Sequence, residues 1–356
     1  MIDFIIIGGG IAGVSAAARL SQLGTVTLLE GEDALAYHAS GRSAALFEQN
    51  YGKPATVALN KASRDFHLAA DVLGPRGLML IGRQDEADAF AADQKSMQLE
   101  TISVADAKAK FPILNTDVIA NAAFDPHAWD IDTDKLIQTF ARTARQNGAA
   151  IVTKVQVTGI QRIPSGWVVT ANEQAYEGRV LVNAAGAWVD IIAELAGIAP
   201  LGFSPLRRSM ARIPAPGGHD VSGWPMVFGP GEDWYAKPDA GALIVSPGDE
   251  DPVVPHDAYA DDMVLAEGLA RYEANVTEPV TRLLSSWAGL RTFAPDRTLV
   301  LGPDAHDAGF IWCAGQGGYG VQSSPAASQL LADLISGAPS EIPANAVAAL
   351  SPGRFT

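Results

Sequence analysis

The first thirty residues constrain the fold more than any other segment. A short apolar run leads into a glycine motif, Gly8-Gly9-Gly10-Ile11-Ala12-Gly13, and an Ala-rich stretch and a second apolar run follow it as far as Glu30. In a strand–turn–helix unit of this kind, the first glycine permits a sharp turn, the second lets the backbone approach a pyrophosphate, and the third lets the helix pack on the sheet. The helix N-terminus attracts the phosphates, and an acid at the distance of Glu30 binds the ribose hydroxyls. The segment therefore predicts a Rossmann-like dinucleotide cradle.

Charge and cysteine content limit the partners and the chemistry. The chain has 356 residues, of which 25 are basic and 40 acidic, and its net charge of −15 disfavours nucleic acid and anionic membranes as partners. Its one cysteine, Cys313, lies in an apolar stretch, which excludes an internal disulfide and leaves redox chemistry to a cofactor. The first residues lack the basic start of a signal peptide, and no apolar run is long enough to span a bilayer, so we expect a cytoplasmic protein without a membrane span.

The order of elements predicts an α/β fold made of two domains that are interleaved along the chain. The segment 201–289 is rich in Pro and Gly and contains short strands, which indicates a mainly antiparallel sheet inserted into the first domain. A last strand, 309–313, then leads through a Gly-rich loop into a helix over 323–336. The predicted nucleotide-binding domain comprises 1–77, 140–200 and 290–356, and the predicted α+β substrate domain comprises 78–139 and 201–289.

Two candidate metal patterns do not satisfy the requirements of a metal site. The segment Asp130-Ile131-Asp132-Thr133-Asp134 resembles the start of a calcium loop, but Lys135 stands where a glycine is needed and Ala141 where a bidentate glutamate is needed. We expect a helix N-terminus there instead, capped by Asp132 or Thr133. The six histidines show no spacing typical of metal ligands, so we predict no metal site.

Five motifs in a fixed order carry a family resemblance. They are Gly8-Gly9-Gly10-Ile11-Ala12-Gly13, Tyr37-His38 with Ser40-Gly41-Arg42-Ser43-Ala44-Ala45, Val182-Asn183-Ala184-Ala185-Gly186-Ala187-Trp188, Trp287-Ala288-Gly289-Leu290-Arg291 and Gln316-Gly317-Gly318-Tyr319-Gly320. Together they resemble the FAD-dependent D-amino acid oxidoreductase (DAO) family, and within it most of all the D-arginine dehydrogenases. The resemblance implies noncovalent FAD as the cofactor and a substrate held between the flavin and the mainly antiparallel sheet.

The resemblance also implies which residues bind FAD. The Gly-rich loop 315–320 and the helix after it offer backbone amides and a positive helix end to the flavin N1 and C2 oxygen, where negative charge develops. His38 is expected to contact the diphosphate or the ribose. The expected FAD-binding residues are Gly8, Gly10, Ile11, Ala12, Gly13, Glu30, His38, Gly41, Arg42, Ser43, Ala44, Ala45, Val155, Ala185, Gly186, Trp188, Gly289, Gly318, Tyr319, Gly320, Val321 and Gln322.

An amino-acid substrate needs a group that binds its carboxylate, and arginine binds carboxylates bidentately. Arg291 fits this role, and so does one of the neighbours Arg207 and Arg208, because successive residues of a strand face opposite sides. The family pattern selects Arg208. It also places two tyrosines at the substrate, so the expected catalytic residues are Arg208, Tyr235, Arg291 and Tyr51.

The chain departs from the D-arginine dehydrogenases at positions that bind the side chain of the substrate. Leu46 stands in place of a histidine, Leu78 in place of the glutamate that binds the guanidinium, and Phe228 in place of a smaller aliphatic residue. We therefore expect an apolar and somewhat reduced pocket, lined by Leu46, Leu78, Met226, Phe228 and Gly318. An unpaired cation is costly to bury in such a pocket, so apolar D-amino acids are expected to be better substrates than D-arginine.

The resulting hypothesis is oxidative deamination of D-amino acids. Hydride passes from Cα to the flavin, and the imino acid is hydrolysed to a 2-oxo acid and ammonia. No histidine or carboxylate general base is evident from the sequence. One alternative is a secondary-amine (sarcosine- or glycine-type) or 2-hydroxy acid oxidoreductase, whose substrate carboxylates an arginine pair would also bind; another is a flavin-binding protein without turnover. The electron acceptor, oxygen or a quinone, is left open.

Overall fold

Two large sheets organise the molecule. The computed structural model describes residues 1–355, and within them the chain forms twenty β-strands and nine α-helices. The strands are β1 (Ile2–Ile7), β2 (Val26–Leu29), β3 (Leu46–Phe47), β4 (Leu73–Pro75), β5 (Leu78–Arg83), β6 (Glu100–Ile102), β7 (Ile119–Asp125), β8 (Trp129–Ile131), β9 (Ala150–Val152), β10 (Val157–Ile163), β11 (Gly166–Ala171), β12 (Gln174–Asn183), β13 (Ser204–Pro214), β14 (Met226–Phe228), β15 (Tyr235–Asp239), β16 (Ala242–Ser246), β17 (Asp251–Pro252), β18 (Ser285–Phe293), β19 (Val300–Pro303) and β20 (Phe310–Ala314). The helices are α1 (Ile11–Leu20), α2 (Pro54–Ala69), α3 (Ala87–Met97), α4 (Val104–Lys110), α5 (Thr133–Gln146), α6 (Val189–Leu195), α7 (Asp262–Glu273), α8 (Gly320–Ser336) and α9 (Ala344–Leu350).

The first sheet has a parallel centre. Its strands run in the order β10-β11-β12-β1-β2-β9, with β20 beside the end of β12 and β19 beside β20. The pairs β12–β1, β1–β2, β2–β9 and β12–β20 are parallel. Since β1 lies between β2 and β12, its carboxyl end and the Gly8 turn lie at the middle of the sheet edge, where dinucleotides bind in folds of this kind.

Apolar residues of β1 are buried on both faces of this sheet, as expected for a parallel strand covered on both sides. Ile6 belongs to a hydrophobic cluster that includes residues of α1, α5 and α8. Ile5 and Ile7 belong to a second cluster, formed with residues of α6 and β11. The alternation therefore fixes β1 between two packed layers, and the turn after it has little freedom.

The second sheet is mainly antiparallel. Its strands run in the order β17-β13-β16-β15-β14-β5-β7-β6, with β18 beside β13, and only the β14–β5 pair is parallel among the pairs described. β5, β6 and β7 come from one segment of the chain, and the strands β13 to β18 come from another. The prediction of a Rossmann-like domain with an inserted antiparallel-sheet domain is confirmed.

Two predicted domain boundaries fall inside elements. The boundary at 140 divides α5, whose buried residues include Leu136 and Phe140 and which packs against α1, so the whole helix lies with the first sheet. The boundary at 290 divides β18, which pairs with β13 from Ser285 to Phe293 and so lies with the second sheet. Both differences arise because a helix or strand packs as a continuous unit, whereas each predicted boundary divides one.

The segment that resembles a calcium loop is a helix start. Asp132 precedes α5, and its carboxylate accepts the backbone N–H of Lys135 at 2.9 Å, as expected for an N-cap. Asp130 forms ion pairs with Arg76 and Lys237 instead. In the described part of the chain, no group of three or more acidic, His or Cys side chains has the arrangement of a metal site.

None of the helices within residues 1–355 combines the length and the apolar character that crossing a bilayer requires.

Candidate active site

Two glycines fix the shape of the turn between β1 and α1. Gly8 has a φ of +107°, a conformation that L side chains rarely adopt, and a Cβ atom there would collide with the Ala184 carbonyl oxygen. A Cβ atom on Gly13 would collide with the Gly8 carbonyl oxygen. On Gly10, a Cβ atom would meet only the Ser40 hydroxyl, at 3.2 Å. The turn is therefore tight where helix meets strand and open in front of the helix N-terminus.

A cavity of about 260 Å³, here called the cradle cavity, lies in front of this turn. The Glu30 carboxylate forms part of its wall and accepts the backbone N–H groups of Gly9 and, at 2.8 Å, of Glu32. The Ser40 hydroxyl accepts the N–H of Ile11 at 3.0 Å, at the first turn of α1. Ten of the expected FAD-binding residues line this cavity: Gly8, Gly10, Glu30, His38, Arg42, Val155, Ala185, Gly186, Trp188 and Gly289.

Arg42 joins the loop over the cradle cavity to the second-sheet half of the molecule. Its guanidinium donates to the carbonyl oxygens of Ala258 at 2.9 Å and Ala288 at 3.0 Å, and it pairs with the Asp257 carboxylate. His38, in the same loop, has its Nε2 3.0 Å from Glu32 Oε1. Arg42 therefore shapes the cavity by holding the loop, with its guanidinium already bound to protein groups.

A second cavity, here called the central cavity, continues the first. It has a volume of about 80 Å³ and shares Ala39, Ser40, Arg42 and Gly289 with the cradle cavity. Its remaining walls include the N-terminus of α8, whose dipole is positive at this end. The joined cavities thus run from the turn after β1 to the start of α8, which is the shape that an extended dinucleotide needs. The expected FAD-binding residues in this part are Ile11, Arg42, Ser43, Ala44, Gly289, Gly318, Gly320 and Val321.

Six expected FAD-binding residues lie outside both cavities: Ala12, Gly13, Gly41, Ala45, Tyr319 and Gln322. Gln322 has another role, because it lies one turn inside α8 and is only 2% exposed. Its carbonyl oxygen lies 2.8 Å from His67 Nε2, and its side-chain oxygen accepts the backbone N–H of Glu48 at 2.9 Å. Gln322 therefore positions neighbouring segments in place of lining the cofactor site.

A third cavity, here called the sheet cavity, brings together three of the four expected catalytic residues. Tyr51, Tyr235 and Arg291 line it, and its volume is about 80 Å³. It shares Ser43, Ala44, Arg291 and Gly318 with the central cavity, so the two adjoin. A Cβ atom on Gly318 would lie 3.0 Å from Arg291 Nη1 and 3.5 Å from the Tyr51 hydroxyl, which shows how closely these groups surround it. All five expected pocket residues are also in the wall: Leu46, Leu78, Met226, Phe228 and Gly318.

Arg208 lies beside the sheet cavity and lines the central cavity. It is 4% exposed, and its guanidinium donates to the Asp249 carbonyl oxygen at 2.9 Å and to Glu250 Oε1 at 3.2 Å. Its Nη1 has no hydrogen-bond partner among the described residues. Arg207 pairs instead with Asp249 and Asp251. Arg208 and Arg291 thus share the central cavity, and only Arg291 reaches the sheet cavity.

Three residues of the sheet cavity were not anticipated from the sequence: Glu48, Met97 and Glu232. Glu232 lies in the turn before β15 with a φ of +55°, and its Oε2 accepts the Tyr51 hydroxyl at 2.8 Å. The expectation of an apolar pocket is therefore incomplete, because two carboxylates interrupt the apolar wall. Nothing in the local pattern marks either one: Glu232 follows Pro230 and Gly231 as an ordinary polar turn residue would, and Glu48 follows the short strand β3.

The charges at Arg291 and Tyr51 depend on these neighbours. Burial opposes the charge on Arg291, but Tyr51, Tyr235 and Glu232 more than offset it, so the pKa of the guanidinium lies above its ordinary value. Burial, followed by the charge of Glu232, raises the pKa of Tyr51 well above its ordinary value. At neutral pH the cavity therefore presents a guanidinium cation and a neutral phenol that donates to a carboxylate.

A polar cleft of about 510 Å³, here called the outer cleft, adjoins the sheet cavity. The two share Tyr51 and Glu232, so the hydrogen bond between these side chains stands where the cleft meets the cavity. Charged groups of both signs line the cleft, among them Arg271, Arg297 and Glu250. Arg297 and Glu250 form an ion pair at 2.8 Å. The cleft is therefore suited to admit a small polar molecule.

A family model described as "FAD dependent oxidoreductase" (DAO) matches residues 3–334. The chain belongs to this family. FAD is accordingly its cofactor, and the cradle and central cavities fit that group, because the glycine turn leaves the space open and a positive helix end faces each end of the site. The chain is thus an FAD-dependent oxidoreductase.

Individual relatives are distant. The FAD-dependent oxidoreductase domain-containing protein 1 of Bos taurus is 25% identical over 94% of this chain and 81% of that protein. The mitochondrial dimethylglycine dehydrogenase of Rattus norvegicus is 27% identical over 55% of this chain and 25% of that protein. The crystal structure of glycine oxidase from Geobacillus kaustophilus superposes with a TM-score of 0.84 at 21% identity, covering 98% of both chains. A particular likeness to the D-arginine dehydrogenases is not supported.

Proposed function

We propose that this protein oxidises the C–N bond of a small amine that carries one carboxylate. The class comprises amino acids with short side chains and N-alkylated glycines. The observation that carries the proposal is the placement of Arg291 and Glu232 in the wall of one cavity of about 80 Å³, since neighbouring charges of opposite sign complement a zwitterion. The names of the rat relative and of the superposed glycine oxidase support an amine substrate, and they favour the secondary-amine or glycine type over D-amino acids.

Arg291 binds the substrate carboxylate in this proposal. Its planar guanidinium can donate two parallel hydrogen bonds to the carboxylate from two of its nitrogens, which fixes the orientation of Cα as well as its position. Bound FAD supplies the redox chemistry by accepting a hydride from the carbon of the C–N bond. Because Arg291 lines both the sheet cavity and the central cavity, a carboxylate bound to it lies at the boundary between the two.

Glu232 binds the substrate nitrogen. Its Oε2 already accepts the Tyr51 hydroxyl, which leaves Oε1 to accept an N–H of the ammonium group. The amine must lose a proton before its carbon can release a hydride, and a carboxylate bound to the ammonium group can take that proton. In this proposal Glu232, which the sequence did not reveal, is the proton acceptor, and Tyr51 is its positioning residue.

The Glu232 carboxylate also argues against the other substrate types. A second carboxylate on the substrate would meet Glu232 at close range, and two like charges about 5 Å apart repel by about 3 kcal/mol at an effective dielectric constant of 20. A 2-hydroxy acid brings no cation to neutralise Glu232. Amines with a single carboxylate are therefore favoured over dicarboxylates and over 2-hydroxy acids.

The cavity also limits the size of the substrate. Its volume of about 80 Å³ is small beside the ~300–1,000 Å³ of sites that hold drug-sized ligands, and Leu46, Leu78, Met226 and Phe228 close it on the apolar side. Short side chains should therefore be preferred to long ones. For substrates that have a stereocentre at Cα, we keep the D configuration as the predicted one.

The test is anaerobic mixing of the FAD-loaded protein with a panel of compounds while the flavin absorbance is followed. The panel contains glycine, sarcosine, N,N-dimethylglycine, both enantiomers of alanine and leucine, iminodiacetate and lactate. We expect fast bleaching with one or more of the small monocarboxylate amines and slow or absent bleaching with iminodiacetate and lactate. Bleaching by lactate or iminodiacetate alone would contradict the proposal.

A further inference from the structure

In the wall of the sheet cavity, the two oxygens of the Glu48 carboxyl group differ in their hydrogen bonding. The side chain is 3% exposed, and its Oε1 accepts the backbone N–H of Asn50 at 2.8 Å. Its Oε2 has no hydrogen-bond partner among the described residues. A buried carboxyl oxygen that accepts no hydrogen bond carries a desolvation cost, so Oε2 is available to accept one from a bound ligand.

A second carboxyl lies beside it. Asp125, at the end of β7, is within hydrogen-bonding range of the Glu48 carboxyl, and it faces Leu78 in the register of β5 and β7. Neither Glu48 nor Asp125 has a partner among the ion pairs of the described residues, so the pair's charge is not balanced by a basic side chain in direct contact. Burial and then the Asp125 carboxyl raise the pKa of Glu48 to about 8. Glu48 therefore holds a proton at neutral pH, and a cation that binds this carboxyl group displaces that proton to water.

We propose that Glu48, with Asp125 behind it, forms a subsite for a cationic group on the substrate side chain, so that the preferred substrate is an amino acid whose short side chain ends in an ammonium group. The proposal rests on the proposed function, because it assigns the carboxylate to Arg291 and the reacting nitrogen to Glu232. It adds a third contact, with Glu48 Oε2 accepting from the second nitrogen.

This subsite corrects the expectation drawn from Leu46 and Leu78. Those leucines do replace the polar groups that bind a cation in the D-arginine dehydrogenases. A carboxyl group is nevertheless present in the same cavity, supplied by Glu48 two residues after Leu46, and Asp125 lies behind it, opposite Leu78. In a cavity of about 80 Å³, these groups suit a side chain of one or two carbons better than the long side chain of arginine.

A matched pair of substrates tests the proposal. 2,3-Diaminopropionate and 2-aminobutyrate have nearly the same shape and differ in whether the side chain ends in an ammonium or a methyl group. We expect kcat/KM for the diamino compound to exceed that for 2-aminobutyrate by about 10- to 100-fold, the range expected for one charge-assisted hydrogen bond. A ratio at or below one would overturn the subsite. If the protein oxidises neither of these compounds, nor glycine, nor sarcosine, the proposed function is wrong instead.

Substitution of the subsite should remove this preference selectively. In Glu48→Gln the amide oxygen can still accept from Asn50, so the fold should persist, and we expect the ratio of the two kcat/KM values to fall to about one. Asp125→Asn should lower the ratio as well, and it serves as the second variant should Glu48→Gln not fold. The control is Glu100→Gln, which changes an exposed glutamate on β6, the strand beside Asp125's strand β7. It should keep the wild-type ratio. An unchanged ratio in both cavity variants would refute the subsite.

Discussion

The cofactor-binding and substrate-binding parts of the active site are built in different ways. The turn of the cradle cavity comes from one continuous segment, and its shape is set by backbone, because Gly8 and Gly13 leave no room for a Cβ atom. The sheet cavity is set by side chains that converge from separated segments, among them β3, the turn before β15, and β18. A site shaped by the backbone of one segment can be recognised from the sequence. A site formed by side chains from separated segments can be recognised only in part.

Removing a cradle glycine should have the largest effect. In Gly13→Ala the new Cβ atom would collide with the Gly8 carbonyl oxygen, so α1 cannot keep its position on the sheet. We expect the protein to lose nearly all of its FAD, or to be recovered only in insoluble form. The ratio of flavin to protein absorbance after purification measures this.

Gly223→Ala is the matched control, since a Cβ atom there would meet nothing within 4 Å. It should retain FAD at the wild-type level. Full FAD content in Gly13→Ala would show that the cradle is not confined by its backbone as described.

The next largest effect should follow loss of the carboxylate-binding group. Arg291→Ala removes a bidentate contact whose charge-assisted hydrogen bonds each contribute about 1.5–3 kcal/mol, so kcat/KM for the best amine should fall by about a hundredfold or more. FAD content should stay near the wild-type level, in contrast to Gly13→Ala. Arg207→Ala, whose guanidinium pairs with Asp249 and Asp251, is the control and should be nearly silent. Near-full efficiency in Arg291→Ala would refute its role.

A smaller effect should follow loss of the hydroxyl that holds Glu232. Tyr51→Phe removes the 2.8 Å hydrogen bond, and a hydrogen bond to a charged group contributes about 1.5–3 kcal/mol, so we expect roughly a tenfold loss in kcat at most pH values. Because Tyr51 positions a proton-accepting carboxylate, the pH profile of kcat should also shift, which loss of packing alone would not cause. Tyr37→Phe is the control, as that hydroxyl lies 3.5 Å from the exposed Asp257. An unshifted pH profile of kcat in Tyr51→Phe would show that Glu232 does not take part in the proton transfer.

The smallest effect concerns stability and the titration of Glu48. Burial raises the pKa of Glu48 to about 8 from an ordinary value of 4.5, so the folded protein holds a proton that the unfolded chain releases between these values. The corresponding stabilisation is present below pH 4.5 and is lost as the pH rises through 8. Glu48→Gln lacks this loss, so its melting temperature should rise relative to wild type by roughly a few degrees between pH 5 and pH 8. A difference that does not change with pH would show that Glu48 is not held protonated.

The sequence predicted the features that depend on local spacing and missed those that depend on distant segments. Spacing alone predicted the cradle, a helix start capped by Asp132 or Thr133, and opposite orientations of Arg207 and Arg208, because each depends on neighbours in the chain. The carboxylates of Glu48 and Glu232 were missed because their burial depends on segments far along the chain, such as Asp125 and Tyr51. The helix was predicted to start at 323, but α8 begins at Gly320. The glycine-rich sequence before 323 favours a loop, so the first residues of the helix were not recognised.

Recognition of a zwitterion by Arg291 and Glu232 is the central claim, and one pair of compounds tests it most directly. Glycine and glycolate share a carboxylate and differ in bearing an amine or a hydroxyl on the reacting carbon. The measurement is the rate of anaerobic flavin bleaching by each, in wild type and in Glu232→Gln. We predict that wild type strongly favours glycine and that Glu232→Gln loses most of this preference. Equal or faster bleaching of wild type by glycolate would contradict the account.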